Sequence, residues 1–209
     1  MRLSLVFEAA ADHIRLTRVY ACYPGAPGIE TWSILEALGT SGRIALSDIG
    51  VWQLSMPATQ IGWITGLEAT PHDGGRVTRR RQVLAPAGRF QLGSTTRSSV
   101  SAVPVAWLKG PAGHTFFGLM WSGAWDLAVT GPDAAGLATV RLSLGAVSTS
   151  IRSGEPFESP HAFFGVAGAG PSDVTAALQA FARHDVRQGR PLAPLVTYNT
   201  WFAYGIGIS

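Results

Sequence analysis

Apolar and polar positions alternate in short runs from residue 1 to about 168, and each run is closed by glycine, proline or aspartate. Period-two alternation marks half-buried strands, and many such runs between turn signals read as an antiparallel sandwich. The pattern predicts strands at 3–7, 14–22, 31–38, 44–54, 60–68, 77–84, 89–92, 103–108, 115–121, 126–129, 138–144 and 161–166. Pro24-Gly25, Asp73-Gly74-Gly75, Pro111-Ala112-Gly113 and Gly131-Pro132-Asp133 separate them, because glycine supplies positive φ and proline presets the turn dihedral. The expected fold class is mainly β, a large antiparallel β-sandwich of more than a dozen strands.

The period changes at Gly170-Pro171-Ser172. Ser172 is a suitable N-cap and Asp173 suits the first helical turn, while Val174, Ala177, Leu178, Phe181 and Ala182 recur on one helical face. This predicts one helix running to Val186 or Arg187, with Arg183, His184 and Arg187 placed near its C-terminal end. Gly189, Pro191 and Pro194 break the chain before a second apolar run at 195–198, which ends in Asn199-Thr200-Trp201. A buried strand that ends in a polar and aromatic cluster is how the first strand of a (β/α)8 barrel reaches the barrel's C-terminal mouth. The expected organisation is a sandwich domain at 1–168, a connecting helix and linker at 169–193, and at 194–209 the first strand of a barrel whose other strands lie outside this sequence.

Composition narrows the function. Of 209 residues, 25 are glycine, 13 are proline, 46% are hydrophobic and 14% charged, which suits one sizeable folded core and argues against disorder. Sixteen basic against thirteen acidic residues leave a net charge of +3. The dense cluster Arg79, Arg80 and Arg81 alternates into Val77 and Val83 and reads as a solvated strand face, so nucleic acid is not an expected partner. Cys22 is the single cysteine and reads as a small buried hydrophobe in a strand. Glu8 and Asp12 interrupt the first apolar stretch and no run approaches the length of a membrane span, so a cytoplasmic protein without a membrane partner is expected. The five histidines show no i, i+4 pair, and Gly168-Ala169-Gly170 lacks the rest of a dinucleotide fingerprint. No metal and no cofactor are expected.

Four segments carry a resemblance. Arg97-Ser98-Ser99 followed by Pro104, the stretch Gly118-Leu119-Met120-Trp121-Ser122-Gly123-Ala124-Trp125, the stretch Gly154-Glu155-Pro156-Phe157-Glu158-Ser159-Pro160, and Tyr198-Asn199-Thr200-Trp201 resemble, in order and spacing, motifs of the α-galactosidases of glycoside hydrolase family 36 and their clan relatives. Weaker similarity extends to the stretch from Tyr20 to Trp32. The resemblance implies an N-terminal supersandwich joined through a helical stretch to a catalytic barrel.

It also implies retaining hydrolysis of α-galactosides by two aspartates on later barrel strands, neither of which lies here. Such carboxylates must face each other about 5 Å apart on one rigid scaffold. The thirteen acidic residues fall at turns, strand ends or the helix start, with no evident reason for any pair to be desolvated, and Asp48, Asp126, Glu155 and Glu158 read as turn or edge groups. By resemblance, Trp201 lines the galactose pocket of the intact enzyme, since an indole stacks on the apolar face of a sugar, the alternative being packing between sandwich and barrel; Asn199 is a second, weaker candidate for substrate contact, the alternative being a strand-end amide that satisfies local backbone groups. The sequence departs from the family after the aromatic stretch, where Ala203 and Tyr204 stand in place of an acidic residue. Trp32, Trp52, Trp63, Trp107, Trp121 and Trp125 read as core packing. The expected function is a non-catalytic N-terminal domain of an α-galactosidase-like retaining glycoside hydrolase, inactive alone, with an α-galactoside as partner of the intact enzyme and a homo-oligomer among its expected states. The alternative is a free-standing carbohydrate-binding or assembly module.

Overall fold

The computed structural model describes residues 1–39, 42–66, 77–170 and 172–194. Within them lie β1 (Arg2–Ala9), β2 (Ile14–Ala21), β3 (Gly28–Ala37), β4 (Ile44–Ser47), β5 (Gly50–Pro57), β6 (Gln60–Thr65), β7 (Arg79–Val83), β8 (Arg89–Ser94), β9 (Ala102–Lys109), β10 (His114–Met120), β11 (Trp125–Thr130), β12 (Leu137–Ser143), β13 (Ser148–Ile151), β14 (Phe157–Glu158) and β15 (His161–Ala167). Eight strands form a sheet in the order β1-β2-β3-β15-β10-β9-β6-β7, and β14 adds a ninth by pairing with β3. A four-stranded sheet, β5-β12-β11-β8, faces it, and β13 pairs with β4. The fold is mainly β, built of antiparallel sheets, with one helix near the C-terminal end of the described chain.

The core lies between the two large sheets. Ile61, Ala106, Leu108, Phe117 and Leu119 from one sheet meet Val51, Trp52, Leu127, Val129, Val140 and Leu142 from the other. Because successive side chains on a strand point to opposite faces, Phe117 enters this core while its neighbour Phe116 points out of it. The outward face is closed by the helix α1 (Asp173–Phe181), whose Val174 and Phe181 form a second buried cluster with Phe116 and Phe163. The Phe163 and Phe181 rings stack with centroids 4.7 Å apart. β10 is thereby buried on both faces, which is why its sequence reads as a continuous apolar run rather than an alternation.

The structure departs from the predicted elements where local chemistry intervenes. The run 44–54 is two strands rather than one: Asp48 takes a left-handed φ of 51° between β4 and β5. Aspartate tolerates that region, and its carboxylate accepts a bond from Arg141 at 2.9 Å. β13 and β14 are too short to leave a periodic signal. The helix ends as α1 at Phe181 and continues as a π-helical turn, Ala182–Val186. Ser172 makes no side-chain cap bond; instead Asp173, the first helical residue, folds back on the preceding turn, its Oδ2 accepting the Gly170 N–H at 2.8 Å. Cys22 lies just past β2 and is half-buried rather than a buried strand residue. The turn at Asp73-Gly74-Gly75, the end of the run 60–68 and the strand at 195–198 lie outside the described residues.

Candidate functional site

Three of the four motif segments converge. The Ser98 N–H donates to the Ser122 carbonyl at 3.0 Å, and the buried indole N–H of Trp125 donates to the Ser98 carbonyl at 2.7 Å, which fastens the first segment to the second. The third segment runs along β3: Phe157 pairs with Leu35 and Glu158 with Ile34. Ser159 then donates its N–H to the Ser33 carbonyl at 2.8 Å and accepts the Ser33 N–H on Oγ at 2.9 Å. A cleft of about 440 Å³ opens between the second and third segments, walled by Met120, Trp121, Phe157 and Pro160, with Glu30, Glu158 and His161 at its polar end. Of the seven tryptophans, Trp121 stands in this cleft at 37% exposure, whereas Trp32, Trp52 and Trp125 are packed into cores.

The polar end is assembled by strand register. Ala162 pairs with Thr31, which sets His161 opposite Trp32, and the imidazole lies flat on the indole at a centroid distance of 4.2 Å and 5° between planes. His161 Nδ1 is 2.5 Å from Glu30 Oε1, and Nε2 is 3.3 Å from Glu158 Oε1. The Tyr23 hydroxyl donates to Glu30 Oε2 at 3.4 Å. From the π-helical turn, Asp185 brings a second carboxyl against Glu30; the two residues are only 2% and 8% exposed.

Burial, then the charge of Glu30 and the hydrogen bond to it, push the Asp185 carboxyl up to about 7, against the opposing pull of His161. Burial first, then the charges of Glu30 and Asp185, also raise the Tyr23 phenol. This corrects the expectation that no acidic pair is desolvated. The sequence carried one signal: a carboxylate in the last turn of a helix opposes the helix dipole, so Asp185 needs a partner to repay it. Glu30, at the margin of the predicted strand 31–38, and Tyr23 both lie in the Tyr20 to Trp32 stretch of weaker resemblance, which assigned neither a role. His161 was unmarked.

The arrangement does not offer opposed catalytic acids. Glu30 lies near enough to Asp185 to raise its carboxyl, whereas retaining and inverting glycosidases keep about 5 Å or more between their carboxyl groups to admit the reacting bond. Glu30 and Glu158 sit at opposite nitrogens of one imidazole, whose ring occupies the space between them. Trp201 and Asn199, the sequence-derived substrate contacts, lie outside the described residues. Among the other acids, Asp48 binds Arg141 at 2.9 Å, Glu155 binds Arg152, and Asp126 accepts from Gln91 at 2.8 Å, the turn and edge chemistry expected of them.

No protein-family model and no curated protein matches the chain. Solved structures do match its fold. An α-galactosidase from Lactobacillus brevis superposes with a TM-score of 0.73 at 19% identity, over 87% of this chain and 25% of its own. The galactosidase domain of an α-galactosidase-sucrose kinase gives 0.72 at 19% identity, over 84% and 25%. A family 36 α-galactosidase from Geobacillus stearothermophilus in complex with 1-deoxygalactonojirimycin gives 0.70 at 19% identity, over 87% and 26%. At this identity the likeness is one of fold, and the chain spans about a quarter of the length of the structures it matches.

Proposed function

We propose that this chain is the non-catalytic N-terminal β-sandwich region of an α-galactosidase-like glycoside hydrolase, whose hydrolysis of α-galactosides is carried out by a barrel that the sandwich seats. The reading rests on the fold likeness, which takes in 87% of this chain but only 25% of an α-galactosidase. In this reading residues 1–168 are the sandwich domain, 169–193 the connecting helix and linker, and 194–209 the first barrel strand. Trp201 and Asn199 then stand at the mouth of the barrel, the indole stacking on the sugar and the amide bonding its hydroxyl groups. The barrel supplies the carboxylate that attacks the anomeric carbon and the acid that first donates and then removes a proton.

The buried carboxyl pair has a mechanical part in this scheme. Asp185 on the π-helical turn is tied to Glu30 on β3, and Phe181 to Phe163 on β15, so the connector leaves the sandwich at a fixed place. A lone cysteine suits a reducing compartment, and a cytoplasmic location belongs to the same reading. Sequencing the DNA that follows the Ser209 codon tests it. A coding region for a (β/α)8 barrel with two facing aspartates, in any frame, is expected there. An unrelated gene, with no barrel polypeptide co-purifying with the chain, contradicts the proposal.

A further inference from the structure

Among the described residues the nine-stranded sheet ends in two edge strands, β1 and β7, and they are built differently. β7 carries Arg79, Arg80 and Arg81 in an entirely exposed strand, so a second copy laid along it would bring like charges together, a common protection of sheet edges. β1 has no such guard between its ends. Leu3, Leu5, Val6 and Phe7 are 53%, 40%, 57% and 56% exposed, and no proline, lysine or bulge interrupts them. Leu3, Leu5 and Phe7 share one face of the sheet, and Arg2 and Glu8 stand on the other.

The direction of the main-chain groups follows from the first rung of the ladder. Met1 and Cys22 exchange both hydrogen bonds, at 2.7 and 2.8 Å, so the odd residues of β1 turn their N–H and C=O toward β2. Arg2, Ser4, Val6 and Glu8 therefore turn theirs outward, to the open edge.

We propose that β1 pairs antiparallel with β1 of a second copy of this chain, about a two-fold axis at Leu5. In that register Arg2 lies opposite the partner subunit's Glu8 and Ser4 opposite the partner subunit's Val6, all four presenting outward main-chain groups as hydrogen-bonded pairs. Leu3 meets the partner subunit's Phe7, and Leu5 meets the partner subunit's Leu5, at the closer non-hydrogen-bonded positions where side chains interact most. The interface is self-complementary, as a two-fold contact must be. Moving the centre one residue or more either way sets Arg2 and Glu8 opposite uncharged residues, opposite their own like charge or beyond the strand end, so charge selects this register alone. Both charged side chains are already held on the face they would use: Arg2 lies over the Trp32 ring at 5.1 Å, and Glu8 binds Arg15 at 2.8 Å.

Light scattering on the size-exclusion-purified 209-residue chain tests the proposal. The wild type is expected at twice its 22.0 kDa mass. Arg2→Glu alone and Glu8→Arg alone are expected as monomers, since each sets like charges opposite one another, and an equimolar mixture of the two is expected to return to dimer mass, because acid then faces base at both ends. Ser4→Pro removes an outward N–H without touching the β1–β2 ladder and is expected as a monomer. Thermal melts of each variant within a few degrees of wild type establish that the fold is kept. A wild-type chain at 22.0 kDa overturns the proposal. So does a dimer that survives Ser4→Pro, or a mixture of folded charge variants that fails to pair.

Discussion

Asp185 and Glu30 bring two carboxyl groups together in a site where the two residues are 2% and 8% exposed, at the junction of the last helical turn of the described chain and the start of its third strand. Burial and the charge of Glu30 favour the protonated form of Asp185, and this makes the connector's attachment sensitive to pH.

The sign follows from linkage. Asp185 is raised from its ordinary 3.8 to about 7, so between those values the folded chain holds a proton that the unfolded chain has lost. The stabilisation is therefore complete below about 4 and is lost as pH rises through 7. Thermal midpoints are expected to fall between about pH 5 and pH 8. Asp185→Asn keeps a donor for Glu30 without a titrating proton, so it flattens that slope and gains about 1.5–3 kcal/mol at pH 8, the scale of a hydrogen bond to a charged group. Chemical denaturation at the two pH values checks both statements.

Gly118 lies in the second motif segment, where β10 passes under Pro104 and Phe163. A Cβ there would stand 2.5 Å from the Phe163 ring and 2.6 Å from the Pro104 carbonyl oxygen. Backbone cannot retreat as a flexible side chain can, so Gly118→Ala is expected to destabilise the sandwich by about 1–3 kcal/mol. Urea unfolding followed by tryptophan fluorescence measures this, and an unchanged midpoint would show that the strands move apart freely.

Phe181 packs against Phe163 at 4.7 Å and Phe116 at 6.4 Å, and is the largest apolar anchor of the helix. Phe181→Ala is expected to cost about 3–5 kcal/mol of helix docking. Amide exchange in residues 173–186 should then rise sharply while β10, β11 and β12 keep their protection. Equal loosening of the sandwich strands would mean that helix and sheets unfold as one unit.

The sheets were legible in the sequence where alternation ran for five or more residues, as in β2, β9 and β12, and where a change of period exposed α1. The break at Asp48 did leave a mark, since Ser47 and Asp48 are consecutive polar residues and the apolar phase shifts there from Ile44 and Leu46 to Ile49 and Val51, but the apolar run as a whole reads as continuous. The candidate site was only half visible. Motif segments around Trp121 and Glu158 pointed to the cleft, but Glu30, His161 and Asp185 are brought together by strand register and a π-helical turn, neither of which leaves a periodic trace. Long-range pairing of single polar residues is set by topology, and it becomes readable only when the neighbouring strands are known.

Release of p-nitrophenol from p-nitrophenyl α-galactoside by the purified chain tests the central claim most directly. The account predicts release equal to that of a heat-inactivated control, because Glu30 is separated from Glu158 by the His161 ring and each carboxylate is held to one of its nitrogens. Turnover clearly above that control, abolished by Glu30→Gln or Glu158→Gln, would place a catalytic pair in this cleft and contradict the account.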